Sequence, residues 1–301
     1  MNGGHPRGLV VAAAVAVAVL VTSACGSKPV AKDETSTYAS TRSSAIRVVA
    51  VGDIACEPGG QVTETTCQQD RTGELAKSLK PDLVLALGDL QYESGTKDAF
   101  MESYDKVWGS LWKITSPAPG NHEYYTGEAA GYYDYFDGRQ PGPPGYYRVK
   151  AYGWNIFVLN SNCDKIDCGA EEKWLDEQMS AHPSKCSLIT MHHPRFSSGK
   201  EHGNNDAVEG LWRTAEKHRT EIALAGHDHD YERFAPLSPT GESSPESGIS
   251  SFVIGTGGKN LYSLGTREAG SEFYQSDTMG VLLLELKEDS WTYSFQGLDG
   301  E

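Results

Sequence analysis

Five short polar clusters in the 301-residue chain bring carboxylate, amide, imidazole and phenol groups together: Gly52-Asp53, Gly88-Asp89-Leu90-Gln91-Tyr92, Gly120-Asn121-His122-Glu123, Met191-His192-His193 and Gly226-His227-Asp228-His229. A glycine opens four of them, which lets the backbone turn tightly there. Singly, each has an ordinary explanation, because an aspartate after an apolar run commonly caps a helix or makes a turn. In series, they form a mixed oxygen and nitrogen donor set without thiolate, suited to hard or borderline ions such as iron, manganese or zinc. His227 and His229 stand two apart, so they share a face on an extended strand or serve two ions from a loop. Two ions about 3.5–4 Å apart need a shared ligand, and a carboxylate with two oxygens is the natural one. Neither GxxxxGK[ST] nor GxGxxG occurs at a strand-to-helix turn, so phosphate binding of the P-loop kind has no support.

The clusters follow, or connect, short apolar runs that alternate with amphipathic stretches. That rhythm predicts a layered α/β fold. Strands are expected at 46–51, 82–87, 156–159, 187–190, 222–224, 252–254 and 281–286, with 291–295 closing a hairpin on the last. Helices are expected at 70–79, 99–112, 170–179 and 206–218. The Gly- and Pro-rich stretches 138–145 and 237–251 read as surface loops. In open α/β sheets ligands gather outside the carboxyl ends of strands, which would bring the five clusters to one crevice.

Composition limits the partners. With 26 basic against 41 acidic residues the net charge is −15, so the overall field repels nucleic-acid backbones and anionic lipid headgroups. Small anionic substrates stay open where bound cations dominate locally. Arg7 and a 13-residue apolar run at 9–21 precede Thr22-Ser23-Ala24-Cys25, too short a run to span a bilayer comfortably. Residues 1–24 therefore read as an export signal, with the small residues before Cys25 resembling a bacterial lipobox. On that reading Cys25 carries the lipid that makes the only membrane contact; an ordinary secretory signal is the alternative. Residues 25–45 read as a flexible Ser/Thr-rich tether, and 46–301 as one globular domain outside the cytoplasm. Cys56 with Cys67, and Cys163 with Cys168, make plausible local disulfides. Cys186 is then left over, unless it pairs with Cys163 or Cys168. No sequence feature points to an oligomeric state.

Asp53, the GDxxY of 88–92, the GNHE of 120–123, the histidine at 192 and the GHxHxYER of 226–233 resemble the calcineurin-like metallophosphoesterases, in particular the purple acid phosphatase branch. The resemblance runs in order over about 46–260. It implies a four-layer αββα metallophosphoesterase sandwich, two mixed β-sheets flanked by helices. It also implies that Asp53, Tyr92 and His229 hold one metal ion and Asn121, His192 and His227 a second, with Asp89 bridging. Other branches place a histidine two residues after the first aspartate, where this chain has Ala55; Tyr92 supplies the ligand that would otherwise be missing. A phenolate there favours Fe(III), with a divalent iron, zinc or manganese beside it. Ala55 also replaces the glycine usual in this branch, and the amino-terminal fibronectin-like domain of the large plant enzymes has no counterpart.

The implied chemistry is phosphoric ester hydrolysis by a water that two cations activate. His122 would bond the phosphoryl group and His202 would protonate the leaving alkoxide. The substrate class is a small phosphate ester, a monoester foremost. A phosphodiesterase is the nearest alternative, and a non-catalytic metal- or phosphate-binding lipoprotein the more distant one. His193 is expected on the opposite face from His192, Glu123 either beneath His122 or solvated, Asp228 facing away from the ions, and Arg233 in a structural role. The aromatic group Tyr132, Tyr133, Tyr135 and Phe136 is expected to pack against the sheet.

Overall fold

The computed structural model describes residues 23–25 and 45–300. The expected export signal and tether lie outside the described residues, apart from Ser23–Cys25 and Ala45. The chain runs β1 (Ser23–Ala24), β2 (Ile46–Val51), α1 (Gln69–Ser78), β3 (Leu83–Leu87), α2 (Lys97–Glu102), β4 (Thr115–Ala118), α3 (Ala130–Tyr135), β5 (Tyr147–Ala151) and β6 (Trp154–Val158). It continues through α4 (Cys168–Ala181), β7 (Cys186–Thr190), α5 (Glu209–Lys217), β8 (Ile222–Ala225), β9 (Tyr231–Leu237), β10 (Ile249–Ile254), β11 (Ser271–Gln275), β12 (Gly280–Leu286) and β13 (Ser290–Gly297).

Among the described residues these strands form two mixed sheets, ordered β1-β13-β12-β2-β3-β4 and β11-β9-β10-β8-β7-β6-β5. Strands β2, β3 and β4 are parallel in the first, and β6, β7, β8 and β10 in the second. Alternation along the strands explains the layering. Trp154, Ile156 and Val158 of β6, with Leu188 of β7 and Ile222 and Leu224 of β8, join Val48, Ala50 and Leu85 of the other sheet in one core. The intervening Phe157, Ile189 and Ala223 turn outward to Leu175 and Met179 of α4 and Leu211, Trp212 and Ala215 of α5. Each such fully buried Leu, Ile or Val contributes about 1.5–3 kcal/mol, so strands buried on both faces read as unbroken apolar runs. The aromatic group packs as expected, with Tyr132, Tyr135 and Phe136 buried around Phe100 and Tyr104.

The sandwich places five strand ends on one edge. Asp53 follows β2, Asp89 and Tyr92 follow β3, Asn121 and His122 follow β4, His192 follows β7, and His227 and His229 follow β8. All five strands belong to parallel pairs, so their carboxyl ends meet where the two sheets come together.

Three expectations need correction. The single helix expected at 99–112 is broken after α2 and continues as 3-10 turns at Tyr104–Lys106 and Trp108–Ile114. Ser103 Oγ donates to the Cys56 carbonyl and Tyr104 N donates to Gln91 Oε1, and these tertiary partners divert the backbone from helix. Strands β4, β5, β9 and β11 were not foreseen. Finally, Cys186 is bonded to Cys25, 161 residues away, beside the expected Cys56–Cys67 and Cys163–Cys168 pairs. A sulfur in a disulfide cannot also carry a lipid thioether, so this bond and the lipid anchor expected on Cys25 exclude one another. Ser23 and Ala24, expected to be removed with the signal, pair with Trp291 and Ser290 of β13. Among the described residues no helix is long and apolar enough to cross a membrane.

Candidate metal centre

Asp53, Asp89 and His227 take φ angles of 60°, 48° and 73°, a left-handed region that non-glycine residues seldom occupy. Such strain gathers where a site over-determines its backbone. Neighbouring loops lock these turns: Asp53 N donates to the Gly88 carbonyl at 3.1 Å, and His227 N to Asp53 Oδ2 at 2.8 Å. Gly88, at φ 84°, is required twice over, since a Cβ there would lie 2.7 Å from the His192 ring.

The donors fall into two groups. In the first, Tyr92 Oη lies 2.8 Å from Asp53 Oδ1, 3.0 Å from His229 Nε2 and 3.1 Å from Asp89 Oδ2, while His229 Nε2 is 3.2 Å from Asp53 Oδ1. In the second, His192 Nε2 lies 3.1 Å from both Asn121 Oδ1 and His227 Nδ1, and 3.3 Å from Asp89 Oδ2. His192 Nδ1 donates to the Leu87 carbonyl at 2.9 Å, which aims Nε2 into the cluster. Asp89 Oδ2 thus belongs to both groups. All seven residues assigned as ligands from sequence are brought together.

Electrostatics tests whether this set fits cations. Burial opposes the charge on Asp89, but the facing His192 ring, with His122 and His227 behind it, outweighs burial and holds the carboxyl far below the usual range. Burial likewise opposes charge on His192, yet Asp89 pushes it up to about 9. Burial, then the charges of Asp53 and Asp89, drive the Tyr92 phenol well above its ordinary value. One phenolic hydrogen cannot serve three neighbours near 3 Å, whereas that spacing suits atoms bound about 2.1 Å from a common cation. Among the described residues neither Asp53 nor Asp89, both buried, pairs with a lysine or arginine. Buried carboxylates left so are costly, and cations between the groups would relieve that cost. The residues present therefore fit two metal ions.

The surroundings revise several sequence readings. Glu123 is fully buried, accepting from Asp89 N at 2.9 Å, Leu90 N at 2.9 Å and Gly120 N at 2.6 Å, so it ties two ligand loops together. Burial and the nearby Asp89 push it up to about 7. His193 is not turned away: β7 has ended at Thr190, alternation no longer holds, and its ring centroid lies 4.4 Å from that of His227. Its Nδ1 is 2.8 Å from Ser161 Oγ, and burial pushes it down to about 3, which keeps it neutral. Asp228 does face away from the donors, toward the loop that carries His202. The His202 ring stacks on His227 at 3.9 Å and is exposed. His122 lies on the other flank, its Nε2 3.9 Å from Asp89 Oδ2 and its Nδ1 2.6 Å from the Glu93 carbonyl. Arg233 is structural, 3.0 Å from Glu272 and over the Tyr293 ring.

Comparison with known proteins agrees with this geometry. The family model for calcineurin-like phosphoesterase matches residues 46–231, and the chain belongs to that family. It is 25% identical over 223 residues to tartrate-resistant acid phosphatase type 5 of Sus scrofa, covering 62% of this chain and 65% of that protein. It is also 25% identical over 226 residues to a nucleotide pyrophosphatase/phosphodiesterase of Hordeum vulgare, covering 62% and 60%. The chain thus spans less than two thirds of the length of either relative. In fold it is similar to a purple acid phosphatase from yellow lupin (Lupinus luteus) seeds, with TM-score 0.62, 18% identity and coverage of 86% and 53%. It is also similar in fold to GAP50, the anchor in the inner membrane complex of Plasmodium, with TM-score 0.65, 15% identity and 86% of both chains covered. The last two likenesses concern the fold alone.

Proposed function

We propose that this chain hydrolyses phosphoric monoesters outside the cytoplasm, with two cations held at the sheet edge. The observation carrying this reading is the shared Asp89 oxygen, 3.1 Å from the Tyr92 phenol and 3.3 Å from His192 Nε2. Asp53, Tyr92 and His229 would hold one cation, Asn121, His192 and His227 the other, and Asp89 both. Tyr92 as phenolate favours Fe(III) in the first position, with Fe, Zn or Mn in its divalent state in the second. When bound, such a pair supplies Lewis acidity toward the phosphoryl oxygens and lowers the pKa of a shared water.

The protein's own groups do the rest. His122 Nδ1 lies 2.6 Å from the Glu93 carbonyl and its Nε2 faces the position beside Asp89, so as the imidazolium, with a hydrogen on each ring nitrogen, it would bond the carbonyl with one and the phosphoryl group with the other. His202, stacked on His227 at the mouth of the cleft, would protonate the leaving alkoxide. Disulfides support an extracytoplasmic setting, because such bonds persist in oxidising compartments. The second reading is hydrolysis of diesters or pyrophosphates. It is favoured by the barley relative's name and by Tyr125, whose exposed ring lies 4.7 Å from His122 and offers a face to a second substituent.

One preparation tests these readings: the chain purified without chelators, analysed for metal and visible absorption, and assayed on 4-nitrophenyl phosphate beside bis(4-nitrophenyl) phosphate. The reading expects two metals per chain, a phenolate-to-iron colour and monoester turnover, all lost in Asp89→Asn. A colourless two-metal protein that prefers the diester moves metal and substrate to the second reading. A metal-binding protein that turns over neither ester overturns both.

A further inference from the structure

The loop that carries His202 leaves β7 at Thr190 and is seated on two buried carboxylates of the β8–β9 region. Asp228 stands between the donors His227 and His229, and its Oδ2 accepts from Ser197 Oγ at 2.5 Å and from Gly203 N at 3.0 Å. Glu232, in β9, accepts from Ser198 N at 2.6 Å and from Ser198 Oγ at 2.5 Å. Both acids are 0% exposed, and Ser197 and Ser198 are 3% and 2% exposed, while His202 stands in solvent between these anchors. The seating is close: a Cβ on Gly199 would run into the Asp228 carboxylate. The chain turns immediately after His202, at Gly203, with φ 71°. Asn204 Oδ1 closes the loop by accepting from Ser197 N at 2.8 Å.

We propose that Asp228 and Glu232 are positioning residues that hold His202 over the second cation position, and so fix where the leaving-group proton comes from. This rests on the reading of His202 as the acid. A loop needing only to be covered would not require two fully buried carboxyl groups, since polar groups taken out of water are costly unless hydrogen-bonded. Hydrogen bonds to a carboxylate are about twice as strong as neutral ones, so they hold a short exposed loop in one place. The arrangement also links two functions in one turn: His227 and His229 face the donor cluster that would hold the cations, and the residue between them faces the acid's loop. A 1 Å error in such a group costs about 10²-fold.

The test compares wild type, His202→Ala, Asp228→Ala, Asp228→Asn and Ser197→Ala, each with its metal content measured. Substrates are 2,4-dinitrophenyl phosphate, whose leaving group needs no proton, and an alkyl phosphate, whose leaving group does. His202→Ala should lose about 10²-fold or more in kcat on the alkyl ester and only a few-fold on the dinitrophenyl ester. Asp228→Ala should reproduce this split at unchanged metal content, Asp228→Asn, which keeps an acceptor oxygen, should largely restore wild-type behaviour, and the His202→Ala/Asp228→Ala double variant should be no worse than His202→Ala. Ser197→Ala removes a donor without touching the ligand segment and should show the split at about 10-fold. Independently of turnover, a cross-relaxation signal between the His202 and His227 rings in metal-free protein should be present in wild type and lost in Asp228→Ala.

If Asp228→Ala loses metal and slows both esters equally while Ser197→Ala behaves as wild type, Asp228 merely supports the ligands and the inference fails. If His202→Ala itself shows no split, the acid reading of His202 falls and this inference with it. A split for His202→Ala with none for Asp228→Ala and Ser197→Ala leaves the acid standing and sinks only the positioning role.

Discussion

The two halves of the donor cluster are built from similar side chains but sit in different surroundings. Asp53, Tyr92 and His229 are 0%, 2% and 2% exposed, the phenol and carboxylate oxygens are packed within about 3 Å, and His229 Nδ1 is buried without a partner. On the other side Asn121 and His227 are partly open, and His122, His193 and His202 stand around them. A closed, anionic pocket suits retention of a highly charged ion. A half-open one ringed by imidazoles suits exchange with water and substrate. The difference teaches that a dinuclear site need not be symmetric in work even where its donor counts match.

Asp89 is the point where that comparison is most easily broken, because its Oδ2 touches both halves. Asp89→Asn should abolish turnover, by about 10³-fold or more, and lower the metal content of both halves. A variant that keeps one full equivalent of metal would show that the buried half is self-sufficient. The next largest effect is graded chelation of wild-type protein. The open half should release its ion first, giving a one-metal form that has lost most activity and recovers it when a divalent ion is restored. Simultaneous loss of both ions would mean that the halves act as one cooperative unit. Tyr92→Phe sharpens the comparison from the other side. It should remove the visible absorption and weaken the buried ion by at least the roughly 10–100-fold that even an outer-shell partner is worth, while leaving the open half loaded. Metal analysis with a spectrum decides it.

Much of this site was legible in sequence because its ligands directly follow buried strands, and β2, β3, β6, β7, β8, β10 and β12 are apolar runs that mark themselves. The failures have a different origin. Strand β4 reads Thr-Ser-Pro-Ala, and β9 carries Glu232, Arg233 and Pro236, so neither shows an apolar period. They become strands through partners far away, Leu85 and Ala86 for β4 and Val253 for β9. The Cys25–Cys186 bond spans 161 residues, and no local spacing announces it. Glu123 and Asp228 were visible as residues but not as acceptors, because their donors lie on loops that approach only in the folded chain. The GNHE and GHxH spacing identified those two positions; the work they do is tertiary.

A smaller prediction separates burial itself from the company a buried acid keeps. Glu171 of α4 is 0% exposed like Asp53, but its neighbours are not imidazoles. Its Oε1 accepts from Asn160 N at 2.8 Å while Oε2 has no partner, and burial, opposed by that one bond, pushes its carboxyl up to about 8. Asp89, buried among histidines, is shifted the opposite way. For Glu171 the sign is fixed by the raised value. Between about pH 4.5 and pH 8 the unfolded chain ionises this group and the folded chain keeps its proton, so stability falls as pH rises through that window. The slope contributed is up to about 1.4 kcal/mol per pH unit. Glu171→Gln has no ionisation to suppress, so its melting temperature should decline less than that of wild type from pH 5 to pH 8, by a few degrees over the range. Scans of both metal-free proteins at several pH values read this directly, because whatever the donor cluster contributes is common to wild type and Glu171→Gln and cancels in their difference. Parallel curves for the two proteins would mean that Glu171 ionises as freely in the folded chain as in the unfolded one, and that burial alone does not hold its proton.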